Sequence, residues 1–247
     1  GFGATNTAAI AAGGESPGYV GVTEVWNGTN WTEEGDMSTG RASLASSIFA
    51  PSSSGIVFGG SAPAVNGLTE EWTGAGAAVG AWSTANSMNT ARAGAGAGIY
   101  TAALAFGGSD GSGEVGNTES YDGTNWTELN DMNTGRALLA GIGTSTSALA
   151  FGGNPLPNGA RTELWNGSNW TEVNDLGTAR YGLAGAGASN TAALAFGGSD
   201  AGPNLAKTET WNGTNWTEVN DLNTARQYLS GAGASNTSAL AFGGYVP

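Results

Sequence analysis

The chain has 247 residues, with 20 acidic and 7 basic side chains for a net charge of -13, 44 glycines, nine tryptophans, and neither histidine nor cysteine. The missing residues exclude imidazole catalysis, histidine-based metal sites, thiolate nucleophiles, cysteine-ligated zinc and disulfides. The acidity disfavours partners built on phosphate, both nucleic acids and anionic membranes, and no apolar run is long enough to span a bilayer.

In chain order, the sequence opens on Gly1 inside a repeat, with a short first strand over residues 1–4, as expected of a piece of a longer polypeptide. Glycine pairs then recur every 45 to 48 residues, at Gly13-Gly14, Gly59-Gly60, Gly107-Gly108, Gly152-Gly153, Gly197-Gly198 and Gly243-Gly244. Paired aromatics stand between them: Trp26/Trp31, Trp72/Trp82, Tyr121/Trp126, Trp165/Trp170 and Trp211/Trp216. The units run 1–39, 40–90, 91–135, 136–179 and 180–225, with a partial unit at 226–247. A period of this length marks one supersecondary unit that must stack on its neighbours to bury its apolar face, so the whole chain reads as one domain.

Within the unit from 180, residues 180–188 form a first strand (A), small on both faces, and Ser189-Asn190 a turn. Residues 191–198 form a second strand (B) that ends in the glycine pair, after which a polar stretch of variable length follows. Residues 208–211 alternate as a third strand (C). Asn212-Gly213 predicts a type I′ hairpin turn into a fourth strand (D) at 215–219. Four short antiparallel strands per unit make a propeller blade. Alanine and glycine are poor strand formers, and their concentration in A and B fits strands crowded around an axis. The aromatics of C and D fit the wider outer wedge. The glycine pairs predict backbone at positive φ or in close approach.

Glycine pair, aromatic, tryptophan and arginine in that order resemble the kelch repeat. Phe151-Gly152-Gly153 through Glu163, Trp165, Trp170 and Arg180 follow it, as do Phe106-Gly107-Gly108 through Tyr121, Trp126 and Arg136. The resemblance covers the whole chain and implies an all-β, kelch-like β-propeller of four-stranded antiparallel blades. The wording of units such as TETWNGTNWTEVNDLNTAR is similar to the kelch-like arrays of marine phage and environmental viral sequences, which implies a virion- or tail-associated part. The second unit departs from the pattern, replacing Asn-Gly-Thr-Asn with a longer connection at 73–81, and the last unit stops after its glycine pair.

Six A–B hairpins stand against five C–D hairpins. In a ring of five, the last A strand completes the first blade and the last B strand is redundant. A ring of six, the preferred closure, gives every hairpin a place and leaves one blade without its outer pair. Its exposed edge invites self-association unless something covers it.

Arg41, Arg92, Arg136, Arg180 and Arg226 each open an A strand, and Glu24, Glu70, Glu119, Glu163 and Glu209 share one position in strand C. They are expected to pair as structural residues of the repeat, with a ring of charge for ligands as the competing reading. The second tryptophans are expected in blade packing. The first aromatics, Trp26, Trp72, Tyr121, Trp165 and Trp211, adjoin the turn and are the candidate ligand contacts, as platforms for sugar rings or as further packing. Asp36, Asp131, Asp175 and Asp221 could supply oxygen ligands to calcium but lack a calcium-loop spacing, so local turn bonds are expected of them. No catalytic set is legible, so no catalytic, cofactor or metal residue is assigned.

The B–C connections at 15–22, 61–68, 109–117, 154–161 and 199–207 vary while the frame repeats, and binding tends to reside in loops on a rigid scaffold. The expectation is a non-enzymatic structural or binding propeller, extracellular or virion-associated, without cofactor, meeting protein partners, other virion components or surface glycans. The alternative is a secreted lectin-like module.

Overall fold

The computed structural model describes residues 1–47, 51–74, 80–156 and 158–246, without the side chain of Ala188. Part of the long connection at 73–81, Pro157 in a B–C loop and the terminal Pro247 lie outside the described residues.

The chain forms five four-stranded antiparallel blades, each a meander in chain order. The first holds β1 (Phe2–Thr5), β2 (Ala8–Glu15), β3 (Tyr19–Trp26) and β4 (Trp31–Glu33). The second holds β5 (Ala45–Ser46), β6 (Ser54–Phe58), β7 (Thr69–Thr73) and β8 (Ala81–Ala85). The third holds β9 (Ala93–Ile99), β10 (Ala102–Ser109), β11 (Thr118–Tyr121) and β12 (Trp126–Glu128). The fourth holds β13 (Ala140–Thr144), β14 (Ser147–Phe151), β15 (Thr162–Trp165) and β16 (Trp170–Val173). The fifth holds β17 (Ala184–Ser189), β18 (Ala192–Phe196), β19 (Thr208–Trp211) and β20 (Trp216–Val219). A last hairpin, β21 (Gln227–Ser235) and β22 (Ser238–Tyr245), makes a two-stranded sheet.

Innermost strands follow one another around the axis. β5 lies by β9, β9 by β13, β13 by β17, β17 by β21, and β21 by β1. Between β1 and β5 the Ser46 hydroxyl donates to Gly1 O at 2.8 Å. The blades therefore form a β-propeller, and the final hairpin sits between the fifth blade and the first.

The small residues of the inner strands have a specific task. Gly96, Gly141, Gly185 and Gly231 are sockets for Phe58, Phe106, Phe151 and Phe196 of the preceding blade. A Cβ on Gly185 would sit 2.7 Å from Phe151 Cζ. Gly1 receives Phe242 in the same way, which closes the circle. Between the first and second blades Ala12 and Ser46 replace the phenylalanine and the glycine, and Phe2 fills the space beside Gly55 instead. The glycine pairs are left-handed throughout, as at Gly152 (φ 72°) and Gly153 (φ 110°). The second glycine's N–H donates to the carbonyl of the arginine that opens the next blade, as from Gly153 to Arg180 O at 2.9 Å.

The C–D turn differs from the type I′ expectation. Trp211 pairs with Trp216, so the loop has four residues, and only Gly213 has positive φ. Asn212 Oδ1 accepts the N–H groups of Thr214 and Asn215, each at 2.9 Å. The asparagine side chain thus closes the loop that a second left-handed residue would otherwise have to close.

Candidate functional site

Four arginine–glutamate pairs lie inside the blades. Arg41 Nη2 stands 3.1 Å from Glu70 Oε1, Arg136 Nη2 3.0 Å from Glu163 Oε1, and Arg180 Nη2 3.1 Å from Glu209 Oε1; Arg92 pairs with Glu119. All eight side chains are buried. Each arginine also donates to main-chain carbonyls, as Arg136 Nη1 does to Gly152 O and Arg161 O. Each glutamate's second oxygen accepts an amide from the linker of the preceding blade: Ser38, Asn89, Asn133 and Gly177 N–H at 2.7–2.8 Å. The pair thus pins its own blade and its neighbour together. Burial pulls the pKa values of Arg41, Arg136 and Arg180 down, and the facing carboxylate opposes that pull. Among the described residues the pairing is fourfold where the sequence suggested five: Arg226 has no carboxylate partner there and Glu24 is exposed.

The first aromatics are mostly packed inside the blades. Trp72, Tyr121, Trp165 and Trp211 are 0–2% exposed, and only Trp26 of the first set is half-buried. The indole N–H groups of Trp26, Trp72, Trp165 and Trp211 donate to a carbonyl in the A–B turn of their own blade, at 2.9–3.1 Å. The Tyr121 hydroxyl donates to Glu71 Oε1 of the blade before, at 2.8 Å. The rings of Trp72, Tyr121, Trp165 and Trp211, enclosed this way, offer no open face to a sugar in this conformation, while Trp26 stays partly open. The second tryptophans reach across the interfaces. Trp82, Trp126, Trp170 and Trp216 donate to the hydroxyls of Thr23, Thr69, Thr118 and Thr162 in the preceding blade, at 2.8–3.1 Å. Sequence reasoning missed these threonines, although the Thr-Glu-x-Trp wording of strand C carries them in nearly every unit.

Asp36, Asp131, Asp175 and Asp221 each accept the N–H of the first C-strand threonine, 13 residues earlier, at 3.0–3.3 Å. Their bonds tie the D–A linker to strand C, a longer reach than the local turns expected.

With frame residues accounted for, two surfaces remain. One is the face formed by the B–C loops, which hold the exposed segments at 16–19, 111–114 and 200–203. In one of them Asp110 Oδ1 accepts Ser112 N–H, the Ser112 hydroxyl and Gly113 N–H. These bonds hold its carboxylate below the usual range. Besides the four buried pairs, Arg161–Glu172 and Lys207–Glu218 pair at the surface, so among the described residues six of the seven basic side chains are in ion pairs and Arg226 is not. Two narrow crevices lie between inner strands, neither with room for a water molecule; one is lined by Ile142, Gly185, Ala186, Gly187, Gly231, Ala232 and Gly233, with no side-chain donor or acceptor. The second surface is the outer edge of β22, where the sixth place lacks an outer pair.

No protein-family model matches the chain, and no curated protein matches it.

Proposed function

We propose that this chain is a non-catalytic interaction propeller of the kelch-like kind, carried on a virus particle or surface appendage, that meets protein or glycan partners through its B–C loops. The observation that carries this reading is a division of labour. The recurring arginines, glutamates and buried aromatics are engaged within the blades, while the exposed B–C loops change from unit to unit. The acidic surface supports partners that are not nucleic acids. The order of glycine pair, aromatics and arginine supports the kelch-like assignment, and the resemblance of the repeat wording to viral arrays supports the setting.

The test pairs two measurements. An antibody to the expressed chain is used on purified virus particles from its source, and the chain itself is applied to a glycan array. Detection in particles agrees with the proposal, a silent array then pointing to protein partners and array binding to glycan partners. Array binding that is lost on replacing residues 199–207, with no signal in particles, would instead establish a lectin.

A further inference from the structure

Interfaces between complete blades repeat one set of contacts, and at the sixth place the members of that set stand without their partners. Arg226, the counterpart of Arg180, reaches the carbonyls of Gly243 and Ala241 but no carboxylate. The carboxylate of Glu24, the counterpart of the buried glutamates, has no hydrogen-bond partner among the described residues. Among the described residues Thr208 Oγ1 receives no indole N–H, although Thr23, Thr69, Thr118 and Thr162 all do. Trp31 Nε1, whose counterparts supply those bonds, has no acceptor among the described residues. Phe58, Phe106 and Phe151 each pack on a tryptophan of the next blade at 4.8–4.9 Å, and Phe196 has none among the described residues. A Cβ on Gly13, Gly59, Gly107, Gly152 or Gly197 would meet the next arginine's carbonyl, but on Gly243 it would meet nothing within 4 Å. Tyr228 of β21 and Tyr245 of β22 are 54% and 57% exposed.

We propose that the edge of β22 accepts, by strand addition, a β-hairpin with the outer-pair chemistry of this repeat: Thr-Glu-x-Trp, a tight turn, Trp-Thr-Glu and a closing arginine. Charge complementarity selects this occupant. Its glutamate meets Arg226 and its arginine meets Glu24. Its threonine accepts the Trp31 N–H, and its second tryptophan covers Phe196 and donates to Thr208. Two copies joined through their β22 edges would satisfy none of these groups and would place two Arg226 side chains together, and another copy's outer pairs are already held in its own blades. The inference stands apart from whatever the B–C loops bind.

The experiment titrates the full chain with a synthetic peptide of residues 207–226, its own fifth-blade outer pair and linker, by calorimetry. One peptide is taken up per chain. A peptide with Glu209→Gln, or a chain with Arg226→Ala, binds roughly tenfold to a hundredfold more weakly, as expected on losing a charged hydrogen bond. Should Arg226→Ala unfold the hairpin, Glu24→Gln in an otherwise unchanged chain gives the second reading, with the same direction. Lack of uptake at peptide excess would overturn the proposal. So would uptake indifferent to these substitutions, or dimers through the β22 edge that excess peptide does not dissociate.

Discussion

Phe242, in the last strand of the chain, packs against Trp31 of the first blade with ring centroids 5.2 Å apart. The same pairing joins successive blades at Phe58–Trp126, Phe106–Trp170 and Phe151–Trp216. One contact therefore serves both as the blade interface and as the closure of the ring. Aromatic pairs contribute beyond the area they bury, by about 0.5–1.5 kcal/mol each.

The buried ion pairs should behave unlike Arg226. Arg136→Ala leaves the Glu163 carboxylate enclosed without its cation and should cost about 3–5 kcal/mol. Arg226→Ala removes a half-buried cation with no carboxylate to strand, and should cost about 1 kcal/mol or less. Urea midpoints compare the two; equal losses would contradict the assigned roles.

The glycine sockets should resist even a methyl group. Gly185→Ala places a carbon 2.7 Å from Phe151 Cζ and should cost about 1–3 kcal/mol by overpacking. Combined with Phe151→Leu, the loss should be smaller than the sum of the two single changes, because the sites touch. Strict additivity in thermal melts would contradict the socket.

Across the second interface, Trp126→Phe removes the N–H that Thr69 Oγ1 accepts inside the protein. The expected loss is about 1–3 kcal/mol, from the bond and the missing ring volume together. A Thr69→Val/Trp126→Phe double variant should be no worse than Trp126→Phe alone, read from the same urea curves.

Tyr121 makes stability fall in alkali. Burial, with the Glu71 carboxylate beside it, pushes its phenol well above the ordinary range. The folded state keeps the proton while the unfolded chain releases it near pH ~10. The contribution is thus complete at neutral pH and is lost as pH rises from there towards the raised folded value. Wild type should lose stability above pH ~10 more steeply than Tyr121→Phe; parallel curves would contradict the assignment.

Much of this was legible in the residues. The period, the strand sequence within a unit and the radial size gradient specify the blades, because each is a repeated local rule. C strands such as 208–211 are matched to the residue, since alternation and the Asn-Gly turn bound both ends. Ring exposure was not legible. An aromatic beside a polar turn resembles a surface residue in sequence, but the A–B turn folds over Trp165 and accepts its N–H. The fate of Glu24 and Arg226 was equally hidden. Their types match the paired residues; the hairpin count leaves one blade without an outer pair, but only the arrangement of strands around the axis shows that these two residues border that place.

Amide hydrogen exchange by segment tests the closed ring with one open place most directly. A sixth place filled only by the inner hairpin predicts that β21 is protected like β17, while the outward N–H groups of β22 exchange far faster than those of β18 and slow when the 207–226 peptide is added. Uniformly fast exchange across β21 and β22 would show a hairpin detached from the ring, and β22 protected as fully as β18 in the isolated chain would show an edge that is not open.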